Sequence, residues 1–539
     1  DEVILKLAKD EKYKIDEKSW IKVRLFDMLI GDWDRHHDQW KFEEKKENGK
    51  VIYSPIPKDR DQAFTKYDGL IISIIMTIPD LRHMKSFENQ IKNIKWFNRE
   101  PYPLDLVFTK NSTEKDWINV AEFIQNNLSE NDIREAFKNL PTEVQDPVME
   151  DLIKKILIRK ADLKTYASSY FKVLEKNVIL TGTAKKDKFV ITRLPNNETE
   201  IKVFRLKKSG EELESSKIYS GKLTKEIWIY ALADEDEFLV EGKEKSTVKI
   251  RLLGGLNEDK YSISNSKKIK IYDYKSKKND FTNKGNASVK LTDDYEINQY
   301  DYKKPKYNVW AVPPSFGFNP DDEIILGAQA IYKVNRFIQN PYSQKHSLKA
   351  NYFTGTNGYE FAYNGAFPRL TGGWFYGFDA RITSSHYIRN FYGIGNKTMN
   401  PKDEFGEHFN NVRAKEFGFS PSINWNKNAS TFSAKLNYEI LKIEKTENRF
   451  VSLPNVVNED VFNSKHFGGA DFSFVYENYD NIANPKLGIK FDIRTVYNVN
   501  LKDTNRQYSS IETGLGFLHY FTNNKKLVWS SYAKAKWLL

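Results

Sequence analysis

The sequence contains no cysteine. That excludes disulfides, thiolate zinc sites, iron–sulfur ligation and cysteine nucleophiles, and it leaves the redox compartment open. Also missing is any run of about 18 apolar residues, so a spanning helix is excluded. Spanning strands leave no such run, and a mean hydropathy of −0.65 is compatible with a barrel. Charge of one sign is not gathered anywhere: Lys plus Arg number 84 against 73 Asp plus Glu, a net +11 spread along 539 residues. Without a focused basic patch, nucleic acid is not expected as a partner. What abounds is aromatic side chains, 14% of the chain, crowded toward the C-terminus among alternating polar residues.

The chain begins at Asp1 rather than Met and ends inside a strand-like pattern, Trp529–Leu539. An internal piece of a longer protein is expected. Residues 1–176 read as helical, with Ile21, Leu25, Met28 and Leu29 as a 3.6-period stripe. Further helices are expected over 113–127, over 129–139 opening on Ser129, and over 142–174. From 177 to 305, β-branched and aromatic residues alternate with Lys and Glu, as in 188–192 and 200–204. This β-rich connector reads as a sandwich or a short solenoid, and its Lys-, Asn- and Asp-rich stretch 264–305 as loops and a linker. From 306, and most clearly from 323, segments of strand length alternate with Gly, Asn and Pro turns.

The densest chemistry is Gly31-Asp32-Trp33-Asp34-Arg35-His36-His37-Asp38-Gln39-Trp40, followed by a probable hairpin and Asp59-Arg60-Asp61-Gln62-Ala63-Phe64. Phosphoryl transfer needs one carboxylate to orient a hydroxyl and further oxygens to hold Mg²⁺. Hard oxygens on loops suit Mg²⁺ or Mn²⁺. The stretch resembles the catalytic loops of atypical kinases, the secretory casein-type, CotH-like and HipA-like families. That resemblance implies a helical kinase-like C-lobe with Asp34, Arg35 and His36 as catalytic residues, Asp34 the base, and Asp59, Gln39 and Asp61 as Mg²⁺ ligands. The families use Asn or Glu where Gln39 stands. The bland alternative is a buried ion-pair network of Asp32, Asp34, Arg35 and His36 that only fixes a loop. His36 and His37 lack the Cys or third His that a zinc site needs.

Two stretches echo one another, 227–238 and 253–261. The second resembles the Gly-Gly-x-Gly-x-Asp turns of Ca²⁺-binding rolls, with Asp234, Asp236 and Asp259 as candidate ligands. The middle glycine is Asn257, so Ca²⁺ is not expected and acidic turns between strands are.

Residues 372–382, 431–438, 469–476 and 514–521 have the length and alternation of transmembrane strands. Asn390-Phe391-Tyr392-Gly393-Ile394-Gly395-Asn396 resembles a phrase of BamA/TamA-like surface-antigen barrels. The turn Tyr479-Asp480-Asn481-Ile482-Ala483-Asn484-Pro485-Lys486-Leu487-Gly488 resembles that superfamily's strand entry, with Pro485 presetting φ and Gly488 permitting the exit. The resemblance implies the first strands of an antiparallel transmembrane barrel, incomplete here, in the outer membrane of a Gram-negative cell. Lipid and other outer-membrane or periplasmic proteins are then the expected partners, and insertion, export or assembly of protein the expected work. The competing reading is a membrane-anchored enzyme: an Mg²⁺-dependent phosphotransferase, or a phosphoesterase through an upstream domain whose metal motifs are absent here. A soluble binding protein with a β-sandwich C-terminus is the third.

Overall fold

Asp16 opens the first long helix. Its carboxylate accepts the Ser19 N–H at 2.9 Å, satisfying one of the amides that a helix start leaves unbonded. This helix, Glu17–Ile30, buries the stripe Ile21, Leu25, Met28 and Leu29 and ends at Gly31, whose φ of +82° makes a left-handed cap. A Cβ there would stand 2.6 Å from the Phe87 ring, so glycine is required twice over. Capping boxes at Thr113 and Ser129 start Glu114–Asn127 and Glu130–Phe137. The single helix expected over 142–174 is two, Pro147–Ala161 and Leu163–Glu175. Between them Asp162 is a poor helix former, and its carboxylate takes a hydrogen bond from Gln90 at 3.1 Å.

The computed structural model describes residues 1–78, 81–145, 147–338, 341–371, 374–395, 398 and 400–539. Gly372, Gly373 and Asn396, which the sequence reading used, lie outside the described residues. The chain divides into two compact units, the first running to Lys306 apart from a short stretch after Met76, the second starting at Tyr307.

Beyond the helices and a three-stranded sheet of Tyr13–Ile15, Lys50–Pro57 and Trp40–Glu47, the first unit is a parallel β-solenoid, not a sandwich. One sheet stacks Asn177–Thr181, Glu226–Leu232, Lys249–Gly255, Ile269–Asp273 and Ser288–Leu291 in parallel. The other stacks Asp187–Leu194, Glu237–Glu241, Lys260–Ile263 and Asp280–Asn283, extended by the antiparallel hairpin Glu198–Lys207/Gly210–Ser220. A single column of rings runs through the rungs: Phe189, Phe238, Tyr261 and Phe281, with successive centroids 5.2, 5.0 and 5.1 Å apart. Residues 269–291 of the stretch expected as loops and a linker therefore fold as rungs, while 292–305 carries only the short helix Tyr295–Asn298. The stretch has few apolar residues, but Ile269, Ile271 and Ala287 land in the core and Phe281 closes the ring column.

The regions expected separately as 1–176 and 177–305 share this unit. Lys217 Nζ donates to Glu175 at 2.9 Å and to the Ser112 carbonyl at 2.8 Å, and Lys185 pairs with Asp10 at 2.7 Å.

The second unit is one sheet of thirteen strands. It starts before 323, since Val309–Ala311 and Pro314–Asn319 already pair with Glu323–Val334. Successive strands are antiparallel through to Val528–Leu538, and no pairing closes the sheet into a ring among the described residues. The connections 428–429 and 480–487 lie at one end. At the other end lie 384–410 and 444–464, which pack together through Phe391, Phe409 and Phe450, with centroids 5.8 Å apart. In the 480–487 turn, Asp480 Oδ1 accepts the N–H groups of Lys486 and Leu487 at 2.8 and 3.0 Å. These bonds hold the turn closed. A Cβ on Gly488 would collide with the Asn478 carbonyl.

Candidate functional site

The loop after Gly31 is fixed by Arg35, which is fully buried. Its guanidinium donates to the carbonyls of Lys58 and Asp59 at 2.6 and 2.7 Å and to Gln39 Oε1 at 3.1 Å. It also pairs with Asp27 at 3.3 Å and Asp32 at 3.4 Å, and stacks over Trp40 at 4.7 Å. The anions are thus Asp27 and Asp32, and Asp34 is not Arg35's partner. The network continues inward: Arg24 bridges Asp27 at 2.9 Å and Asp105 at 3.1 Å, and Asp105 accepts from Trp20 and Tyr170. Sequence reasoning missed Arg24, Asp27 and Asp105, because their pairing spans 81 residues.

This tie brings Asp34 toward Asp59 and Asp61. Burial pushes the Asp34 carboxyl above its usual range; His36 opposes that, and Asp61 and Asp59 add to it. His36 Nε2 lies 4.0 Å from the Asp34 carboxylate, and its Nδ1 accepts the Asp38 N–H at 3.3 Å. Asp59 sits at φ +51°, a left-handed backbone that Asp tolerates better than most residues. Gln39, expected among the ligands, is turned inward and spends its amide oxygen on Arg35. The remaining donors, Asp34, Asp59 and Asp61, offer hard oxygens of the kind that Mg²⁺ or Mn²⁺ takes, yet the three carboxylates do not come within 4.8 Å of one another. Among the described residues, the ligand atoms that do are those of His36, His37 and Asp38. Lys303 Nζ, 3.5 Å from His37 Nε2, opposes a cation there.

The acidic turns of the connector have a different role. Asp236 Oδ1 accepts the Asp187 N–H at 2.7 Å, Asp259 Oδ1 the Asp236 N–H at 2.9 Å, and Asn279 Oδ1 the Asp259 N–H at 2.8 Å. Each rung thus holds the backbone of the one before. Asp236 and Asp259 are buried, and each has its Oδ2 without a partner among the described residues. Burial, with neighbouring carboxylates adding, pushes Asp236 up to about 10 and Asp259 to about 8. Asp234 stays outside this column.

In the second unit, the register carries Ala350, Phe361, Ile382, Phe417 and Ile440 across one face of five strands. Lys349, Ala362, Arg381, Gly418 and Glu439 cross the other. Leu348, Tyr352, Phe378, Phe419, Phe472 and Leu515 are exposed on the first face. The second face carries cross-strand ion pairs instead, Arg381 with Glu360 and Glu416 at 2.6 Å and Lys534 with Glu512 at 2.5 Å.

No protein-family model matches the chain, and neither does any curated protein. Among solved structures, BamA from Haemophilus ducreyi lacking POTRA domains 1–3 is similar over 43% of this chain, at 12% identity and a TM-score of 0.30. The chain covers 42% of that one, and a likeness so slight carries no argument.

Proposed function

We propose that residues 307–539 cross an outer membrane as strands of a β-barrel, their apolar face against lipid. The observation that carries this is the segregation of faces. Large apolar side chains exposed along the strands gather on one face, and a patch of that extent needs a cover. In Gly488–Asn500, Ile489, Phe491, Ile493, Thr495 and Tyr497 lie on that face. Eleven residues from Ile489 to Val499 rise about 33 Å, or roughly 25 Å at a barrel tilt of 40°, the height of a lipid-facing band. Trp374 and Trp425 cluster at the end of the 428–429 turn, as an interfacial girdle would. The two longest connections, 384–410 and 444–464, share the opposite end, as the long loops of an outer-membrane barrel do. Insertion, export or assembly of other proteins is the work such a barrel would do.

Phe472→Arg, at an outward mid-strand position, is expected to destabilise the folded membrane form by about 2–4 kcal/mol. Ser473→Arg, one residue along on the polar face, is expected to cost little. Denaturant titration of heat-modifiable gel migration reads both. Equal effects, or a second unit that stays monomeric in detergent-free buffer, would sink the reading.

A second reading concerns the first unit, and the Arg35 tie favours it. A guanidinium bonded to the carbonyls of Lys58 and Asp59 holds two acidic loops against their mutual repulsion, a cost that a divalent cation between them would offset. Asp34, Asp59 and Asp61 are then the Mg²⁺-holding carboxylates of a phosphotransferase-like site, with Asp34 orienting the acceptor hydroxyl and His36 beside it. Calorimetric titration of the whole chain with Mg²⁺ is expected to give saturable binding that Asp59→Ala removes. No heat of binding in the wild type would end the enzyme reading.

A further inference from the structure

The polar face of the second unit's sheet holds two neighbouring cavities of about 350 Å³ each, which share Asn364 and Asp379. The one nearer the 428–429 turn gathers the side chains of Ser422, Asn424, Asn426 and Thr431 beside the rings of Tyr342 and Phe375. The register explains the grouping: Phe375 stands opposite Asn424, Gly377 opposite Ser422, and Asn426 opposite Thr431. A Cβ at Gly377 would collide with the Ser422 hydroxyl, so glycine keeps the floor open.

Among the described residues, no side-chain hydrogen bond engages any of those four polar groups. The charge in the lining is Asp379, and it is answered: Oδ1 accepts from Asn364 at 2.6 Å and Lys435 lies 3.6 Å away. An ionic ligand would meet no uncompensated charge here. A wholly apolar one would strand two amides and two hydroxyls. An extended peptide would need a free strand edge, yet Gly358–Thr371, Trp374–Thr383 and Asn411–Lys427 are each paired on both sides.

What remains is a ligand with many neutral hydroxyls and flat C–H faces. We infer that this cavity binds a neutral oligosaccharide. Asn424 and Asn426 each offer a donor and an acceptor to adjacent hydroxyls, and Tyr342 and Phe375 take the apolar faces of the sugar rings. A cavity of this size is within the range of small-ligand sites, and the shared wall at Asn364 leads into the second cavity, where a longer chain would continue. The inference uses the polar face alone and stands whether or not the other face meets lipid.

The test is calorimetric titration of the whole chain with maltohexaose and with chitohexaose. Saturable binding of at least one is expected. Asn424→Ala with Asn426→Ala should weaken it at least tenfold, and so should Phe375→Leu. Phe375→Tyr, which keeps a ring, and Ser473→Ala, on the same face outside both cavities, should bind like the wild type. The inference is overturned if neither oligosaccharide binds, or if the paired alanines and Phe375→Leu leave the affinity unchanged. It is equally overturned if Ser473→Ala weakens binding as much as they do.

Discussion

Arg35→Ala is expected to destabilise the first unit by about 3–5 kcal/mol, the usual result of removing one partner from a buried ion pair. Three losses combine. Asp32 loses its cation while remaining fully buried, the carbonyls of Lys58 and Asp59 lose their shared donor, and Gln39 loses the partner of its amide oxygen. Asp27 is spared in part, because Arg24 and Arg60 still reach it at 2.9 and 3.2 Å. Asp32→Asn should be far milder. Burial and the neighbouring Asp27 already push the Asp32 carboxyl up to about 7, so a neutral amide replaces a group whose charge the fold disfavours. Asp34→Asn should move the urea midpoint little, since Asp34 is not part of the Arg35 cluster. A midpoint for Asp34→Asn as low as that for Arg35→Ala would show the assignment of partners to be mistaken.

The solenoid should lose stability as pH rises. Asp273, Asp259 and Asp236 are all raised, chiefly by burial, to about 6, about 8 and about 10. The unfolded chain releases these protons near pH 4 while the folded chain keeps them. Stability from this source is therefore complete below about pH 4 and is lost through each folded value in turn. Every retained proton contributes a slope of about 1.4 kcal/mol per pH unit over its window. Asp187, Asp234 and Glu235 face Asp236 and Asp259 and oppose their ionisation, while the Tyr261 hydroxyl donates to Asp273 and favours its charged form, which keeps Asp273 the lowest of the three. Protection of the 226–273 amides against hydrogen exchange, corrected for intrinsic rate, should fall between pH 5 and pH 9. Asp236→Asn keeps the acceptor for the Asp187 N–H and has no proton to lose, so it should flatten that fall by about one proton. Asn279 already fills the same position one step along the column. A steeper fall in Asp236→Asn than in the wild type would refute the protonated column.

Which parts of this were legible follows from how far each signal reaches. The stripe of Ile21, Leu25, Met28 and Leu29, and the caps at Thr113 and Ser129, are local patterns and appear where expected. Arg24 and Asp27 lie on the same helix at buried positions where periodicity asks for apolar residues, and only Asp105 and Asn98, distant in sequence, explain them. In the connector, alternation marks strands without giving their partners or direction, so sandwich and solenoid stayed equivalent. A usable signal was present: Asp187-Lys188-Phe189, Asp236-Glu237-Phe238, Asp259-Lys260-Tyr261 and Asn279-Asp280-Phe281 share one pattern, acid or amide, any residue, ring. The inserted hairpin Glu198–Lys207/Gly210–Ser220 hides the first copy, and the others lack the full set of glycines of a glycine-rich turn. At the candidate site, sequence spacing offered Gln39 as a ligand, but spacing along a loop is silent about which way a side chain turns.

That repeated step makes the length of the solenoid a quantity that changes in whole units. Each rung rests on the last through one backbone bond and one stacked ring, so a further copy would add about 4.8 Å of rise and present the same surface to the next. Phe189 and Phe238 stack at 5.2 Å although the acids beside them are separated by 49 residues, against 23 for the next pair. Material enters between rungs without disturbing the stack. A segment of about twenty residues can therefore be duplicated or deleted to lengthen or shorten the stack by one strand spacing, provided that the stretch after the last rung, where Tyr302 donates to Asp1 and Lys303 lies beside His37, changes with it to reach back to the helices.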